Sequence, residues 1–147
     1  MKWVNHRLVT GTVTWAVTQD VFAVCAAVSG SVFPDRMEIF GSQKYHRTIS
    51  HWWAVYLPVV LWLWPYSGKP ADGFFTSRFA LYMTFWFFIG AVAHILEDSI
   101  CGRIPLWHPF RKVYVCRRLF YVGSPREYLF TGFLSVIAIL YSFSPSG

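Results

Sequence analysis

Polar and apolar positions follow one another in long blocks along this chain, not in the short periods of a soluble domain. Three blocks, roughly His51–Tyr66, Phe79–Leu96 and Tyr128–Phe143, are almost wholly apolar and 16 to 18 residues long. As helices they would run about 24–27 Å, slightly short of a hydrocarbon core of roughly 30 Å. Trp52, Trp53, Trp62, Trp64 and Tyr66 suit the interfaces of the first block, and Tyr128 and Tyr141 those of the last. Interfacial anchoring and local thinning accommodate spans of this length.

A fourth apolar block, from Leu8 to Phe33, is interrupted by Thr18, Gln19 and Asp20. One continuous helix would hold His6 and Asp35 about 43 Å apart. Thr18 or Asp20 can instead cap a new helix. The sequence therefore predicts a hairpin of two short helices, about Val4–Val17 and Val21–Phe33, which returns Asp35 to the level of His6. Between the last two spans, residues 112–122 are rich in β-branched and aromatic side chains and end in a Gly-Ser-Pro turn. They predict a short strand pair or an interfacial segment. The expected fold is an all-α integral membrane protein, a single domain over 1–147. It has an N-terminal helical hairpin, three membrane helices and a short β-like or interfacial segment before the last.

Composition reinforces the membrane assignment. Of the 147 residues, 55% are hydrophobic and only 14% charged, with a mean hydropathy of +0.40. A soluble domain is about 25% charged. The net charge of +6 reads as topology before nucleic-acid binding. With the hairpin, eleven Lys/Arg share one side and two, Lys69 and Arg78, the other. Without it the division is nine to four. The positive-inside rule then places the amino terminus and both polar loops in the cytoplasm. Arg111, Lys112, Arg117 and Arg118 either contact anionic head groups or serve only as topology charges. Cys25, Cys101 and Cys116 lack a C-x-x-C spacing and read as free thiols. The first apolar stretch does not read as a cleavable signal peptide.

Against this background, a few histidines and carboxylates stand out, because such groups near a bilayer are functional candidates by default. His94 and Asp98 lie four residues apart, within about 40° on one helix face. They can grip one ion, or Asp98 can orient His94. His46 and His51 bracket HRTISH. Thr48 or Ser50 can cap a helix beginning near His51, leaving His46 on the preceding loop. Arg47 between them is a candidate anion clamp. Asp35 follows Pro34 at the exit of an apolar run, and Glu38 is a ligand, a general base or a surface charge. The hairpin brings all these groups, with His6, to one end of the apolar segments. The donor set suits a hard or borderline divalent metal, zinc first.

In order and spacing these motifs resemble the membrane-bound metal-dependent hydrolase family, the LexA-regulated inner-membrane type. The matching elements are His6, Pro34-Asp35-Arg36-Met37-Glu38, His46-Arg47-Thr48-Ile49-Ser50-His51, and His94-Ile-Leu-Glu-Asp98. Gly102-Arg-Ile-Pro and Gly123-Ser124-Pro-Arg-Glu127 follow. The chain departs from the family in carrying Met37 and Glu38 where a second aspartate and a histidine are usual. Thr48 and Ser50 replace a glycine and a threonine, and Trp52 a serine. His108 has no family counterpart and reads as interfacial.

The resemblance implies a helical, zinc-dependent site distantly similar to that of phospholipase C. His6, Asp35, His46, His51, His94 and Asp98 would be its metal ligands or their close partners. The expected activity is hydrolysis of a phosphoester at the cytoplasmic face of a bacterial inner membrane, on an anionic lipid or lipid-linked phosphate. Glu38 or Asp98 would be the proton acceptor and Arg47 would hold the anionic transition state. The competing expectations are a non-catalytic membrane subunit with a structural metal or polar cluster, and a small transporter. Polar groups gathered at one end disfavour an ion path.

Overall fold

The computed structural model describes residues 1–39, 48–71, 73–74, 76–115 and 119–144. The described chain is mostly helical with one small two-stranded sheet. Helix α1 covers Trp3–Thr18, α2 Val21–Gly30, α3 Phe33–Ile39, α4 Trp53–Leu63 and α5 Ser77–Cys101. Strands β1 (Arg103–His108) and β2 (Arg111–Tyr114) precede α6 (Pro125–Ser142). The helices pack in the spatial order α6–α1–α2–α5–α4.

The hairpin expected at Thr18–Asp20 forms, and its local chemistry is clear. Gln19 takes the left-handed conformation (φ 47°) that ends α1, and its N–H bonds the Trp15 carbonyl. Asp20 then caps α2, accepting from Phe22 N at 2.7 Å. The second arm is shorter than expected. It stops at Gly30, and Phe33-Pro34-Asp35 opens the separate helix α3 instead of ending an apolar one. A proline near a helix start is favourable because its missing N–H would have no partner there. Asp35 consequently lies in the first turn of α3.

Contact between α2 and α5 is unusually close and depends on two glycines. A Cβ at Gly30 would sit 1.8 Å from the Phe87 carbonyl oxygen, and one at Gly90 would sit 1.9 Å from that of Ala27. Backbone therefore touches backbone, the mode that small residues permit between apolar helices. Nearer the other face, Tyr56, Ala91, Ile95 and Ile104 form a core that joins α4 and α5 to β1.

Polarity is inverted on α1 and α6. The buried side of α1 carries Asn5, His6, Thr10 and Thr14, while Val4, Leu8, Val13 and Val17 are exposed. On α6, Glu127, Thr131 and Ser135 are buried, and Leu129, Phe133, Val136 and Leu140 are exposed. A helix in water would be arranged the other way round. By length and composition α5 can cross a membrane, whereas the apolar stretch Trp53–Tyr66 is shorter. Among the described residues, one of the three membrane helices expected from sequence, α5, is thus long and apolar enough to span a bilayer.

A short strand pair does lie between the last two helices, but earlier in the chain than residues 112–122. Strands β1 and β2 are antiparallel with Ile104 opposite Val113, and among the described residues of the expected segment only 112–114 are strand. Both tryptophans that begin the α4 region hold it in place. Trp53 Nε1 donates to the Leu106 carbonyl at 2.7 Å, and Trp52 Nε1 reaches the same oxygen at 3.4 Å.

Candidate metal centre

Three elements deliver four side chains to one buried point. His94 and Asp98 project from α5, Asp35 from the first turn of α3, and His51 from a single 3₁₀ turn, Ile49–His51, ahead of α4. One donor atom from each of Asp35, His51, His94 and Asp98 lies within 4.8 Å of all the others. The four can hold one metal ion. His51 Nε2 and His94 Nε2 are 3.1 Å apart, and Asp35 Oδ1 is 3.2 Å from the first and 3.5 Å from the second. Asp98 Oδ2 is 3.6 Å from His51 Nε2 and 3.9 Å from His94 Nε2. Three of these residues are fully buried, and the Asp35 side chain keeps 18% exposure, so the site opens at Asp35.

The surrounding hydrogen bonds define what the point will accept. His94 Nδ1 is 2.7 Å from the Ser31 carbonyl, which can only accept, so Nδ1 carries the hydrogen and Nε2 offers a lone pair. His51 Nδ1 lies 2.8 Å from Glu38 Oε1, which also receives the Ser50 hydroxyl at 2.5 Å. His51 Nε2 is left facing the same centre. Two imidazole lone pairs and two carboxylate oxygens thus converge, and only a cation or a proton relieves their repulsion. Orienting a ligand histidine through its other nitrogen is the usual support of a metal site.

The same electrostatics acts on the ionisable groups outside the helical spans. Burial alone would push the Asp35 carboxyl up, but the neighbouring His51 and His94 outweigh it and hold the group well below the usual carboxylate range. Burial would lower His51, yet Asp35 and Glu38 outweigh that and raise it.

His6 sits beside this centre, outside its four-residue group. Its Nδ1 is 2.5 Å from Glu97 Oε2, and Glu97 also receives the Thr10 hydroxyl at 3.2 Å. His6 Nε2 is 3.3 Å from Asp98 Oδ1 without making a hydrogen bond, and the ring lies 4.0 Å from that of His94. Asp98 is therefore shared, with Oδ2 toward His51 and His94 and Oδ1 toward His6 and the Met1 amino group, which donates to it. An unpartnered, fully buried ring nitrogen next to four converging donors fits a cationic group there.

Of the candidates read from sequence, the structure brings Asp35, His51, His94 and Asp98 together and places His6 and Glu38 in contact with them. His46 and Arg47 lie outside the described residues. The expected cap by Thr48 or Ser50 is not formed. α4 begins at Trp53 with Trp52 at its N-cap and no side-chain cap, because the Ser50 hydroxyl is turned to Glu38 and the Tyr56 hydroxyl holds the Ser50 carbonyl. Glu127 does not complete the centre. It is fully buried and accepts from Lys2 N, Asn5 Nδ2 and Gly123 N, clamping the start of α1 to that of α6. His108 is exposed on the β1–β2 hairpin.

Glu97 escaped the sequence reading, although a signal existed. His94, Glu97, Asp98 and Cys101 follow the i, i+3, i+4, i+7 pattern of one helix face, and all four are buried. The Ser31 carbonyl left no such signal, because any residue supplies one. Comparison of the chain with protein-family models, with curated proteins and with solved structures finds no match.

Proposed function

We propose that this chain is a metal-dependent hydrolase embedded in a bacterial inner membrane, with a zinc-type centre at the cytoplasmic face acting on a phosphoester or lipid-linked phosphate. One observation carries the reading. Three buried histidines each have Nδ1 fixed by an oxygen, from Glu97, Glu38 or Ser31; His51 and His94 turn Nε2 toward both Asp35 and Asp98, and His6 turns its Nε2 toward Asp98. Zinc is favoured by dimensions. Bonds of about 2.0–2.1 Å in a tetrahedron put ligand atoms about 3.3–3.4 Å apart. Five separations among the four donors run from 3.1 to 3.9 Å.

The inverted polarity of α1 and α6 and the length of α5 support the membrane placement. On this reading α1 and α2 form the hairpin, α4, α5 and α6 traverse or deeply enter the bilayer, and the charge asymmetry orients the site inward.

A bound divalent ion would supply Lewis-acid polarisation and lower the pKa of its water toward neutrality. Asp35 marks the open edge where substrate enters. Glu38 Oε1 is engaged by His51 and Ser50, so Glu38 acts chiefly by orienting His51. Asp98 is the other candidate to receive a proton from attacking water, with Oδ2 toward His51 and His94 and Oδ1 toward His6 and Met1. Arg47, adjacent in sequence to the 3₁₀ turn, is the candidate clamp for phosphate charge.

A second reading has its own support. Four protein donors fill a tetrahedron, which is the arrangement of a structural site in a non-catalytic subunit. Metal analysis of the purified protein, beside His94→Ala, tests both. Absence of a bound divalent metal in wild type sinks the hydrolase. Phosphodiester and phospholipid turnover, with Glu38→Gln as a variant, separates enzyme from scaffold.

A further inference from the structure

The β1–β2 hairpin carries a surface that the metal centre does not use. All four residues of β2 are exposed, and Val113, Tyr114 and Val115 are 39%, 52% and 46% accessible. At the turn, Trp107 is 82% and Phe110 57% exposed. The apolar groups are interleaved with cations. Residues 99–126 contain six Lys/Arg and no Asp or Glu. Arg103 stacks on the Tyr114 ring at 4.6 Å across the strand pair, keeping charge and aromatic surface on one face.

Position in the fold indicates what covers this face. β1 begins two residues after α5, the helix long enough to cross a membrane, and β2 leads to α6. The hairpin thus leaves the bundle where α5 would emerge from the bilayer. Trp52 and Trp53 fasten Leu106 to the start of α4, next to the turn that carries His51. Aromatic side chains and cations without acids are what an anionic lipid surface takes up, the rings at headgroup depth and the cations on phosphate. A protein partner would not require the complete lack of acidic groups.

We propose that the β1–β2 hairpin is an anionic-lipid-binding device. Trp107 and Phe110 enter the headgroup layer, Arg111 and Lys112 engage lipid phosphates, and the entrance of the metal centre is thereby held against the leaflet. This rests on the membrane reading above, and the test separates the two. In a Cys25→Ala/Cys116→Ser background, with Cys101 buried, the full-length protein carries an environment-sensitive dye on either Trp107→Cys or Thr84→Cys. Thr84 is an exposed position within α5. Each is placed in nanodiscs of phosphatidylcholine, with or without phosphatidylglycerol, containing chain-brominated lipid.

The expected result is quenching of the position-84 label in both compositions. The position-107 label should be quenched and blue-shifted more strongly with phosphatidylglycerol, and that difference should vanish in Arg111→Gln/Lys112→Gln. A quenched position-84 label with a water-exposed position-107 label overturns the hairpin proposal alone and leaves the face to a protein partner. Equal quenching at 107 in both lipids overturns its anionic preference. An unquenched label at 84 overturns the membrane reading, and the hairpin proposal falls with it.

Discussion

Replacing Gly90 by alanine would show whether the metal centre depends on the close packing of α2 and α5. The new Cβ would lie 1.9 Å from the Ala27 carbonyl oxygen, and real Cβ atoms essentially never come closer than 3.0 Å. Both groups are anchored on backbone, so the helices must part by about 1.1 Å, the difference between those distances. Gly90 is one turn before His94 on α5, and Ala27 is one turn before Ser31. The separation therefore falls directly on the 2.7 Å hydrogen bond from His94 Nδ1 to the Ser31 carbonyl and stretches it to about 3.8 Å, past bonding range.

Overpacking costs about 1–3 kcal/mol, and loss of the buried bond adds about 1 kcal/mol or more. Loss of an orienting partner weakens metal affinity by about 10- to 100-fold. Competitive chelator titration of purified protein measures the affinity, thermal melting measures the stability, and far-UV circular dichroism confirms that the helices persist. Gly132→Ala is the control, because a Cβ there meets nothing within 4 Å. Affinity and melting temperature equal to wild type in Gly90→Ala would show that the centre does not depend on the close packing of α2 and α5.

Other expectations follow from the same contacts. Glu97→Gln weakens the charge-assisted bond to His6, and chelator competition should register a smaller loss of affinity than His94→Ala, which removes a ligand outright. Glu127→Ala leaves three donors without their acceptor and should cost about 3 kcal/mol or more, read as a lowered melting temperature, with Glu127→Gln partly restoring it. In the metal-free protein, the lowered Asp35 pKa contributes stability that is fully present above 3.8 and lost as pH falls through its folded value. The raised His51 pKa contributes stability that is fully present below 6.5 and lost as pH rises through its folded value. The pair is therefore worth most between 3.8 and 6.5. Metal competes with protonation of His51, so affinity should climb as pH rises through the raised His51 value, and a pH-independent affinity would contradict that competition. Single cysteines at the exposed positions 7 and 36 should label from the same side of a sealed vesicle, and opposite-side labelling would exclude the hairpin topology.

Sequence was sufficient for whatever depends on local chemistry. The break at Thr18–Asp20 marked a hairpin because a left-handed residue followed by an aspartate cap is a local event. The His94–Asp98 spacing marked a common helix face for the same reason. The ends of α2 and α4 were less legible, since Pro34 opening α3 and Ser50 turning to Glu38 depend on what lies across the fold.

Only tertiary structure decided which polar groups form the centre and which support it. Gly30 and Gly90 look like ordinary residues of apolar helices, yet their lack of a Cβ lets two backbones touch and brings a carbonyl to His94. Glu38 and Glu97, ambiguous or unnoticed along the chain, become the groups that fix His51 and His6. The residues could be read as chemistry one by one. Their roles came from distances between elements, and those were set by side-chain packing that no single stretch of sequence contains.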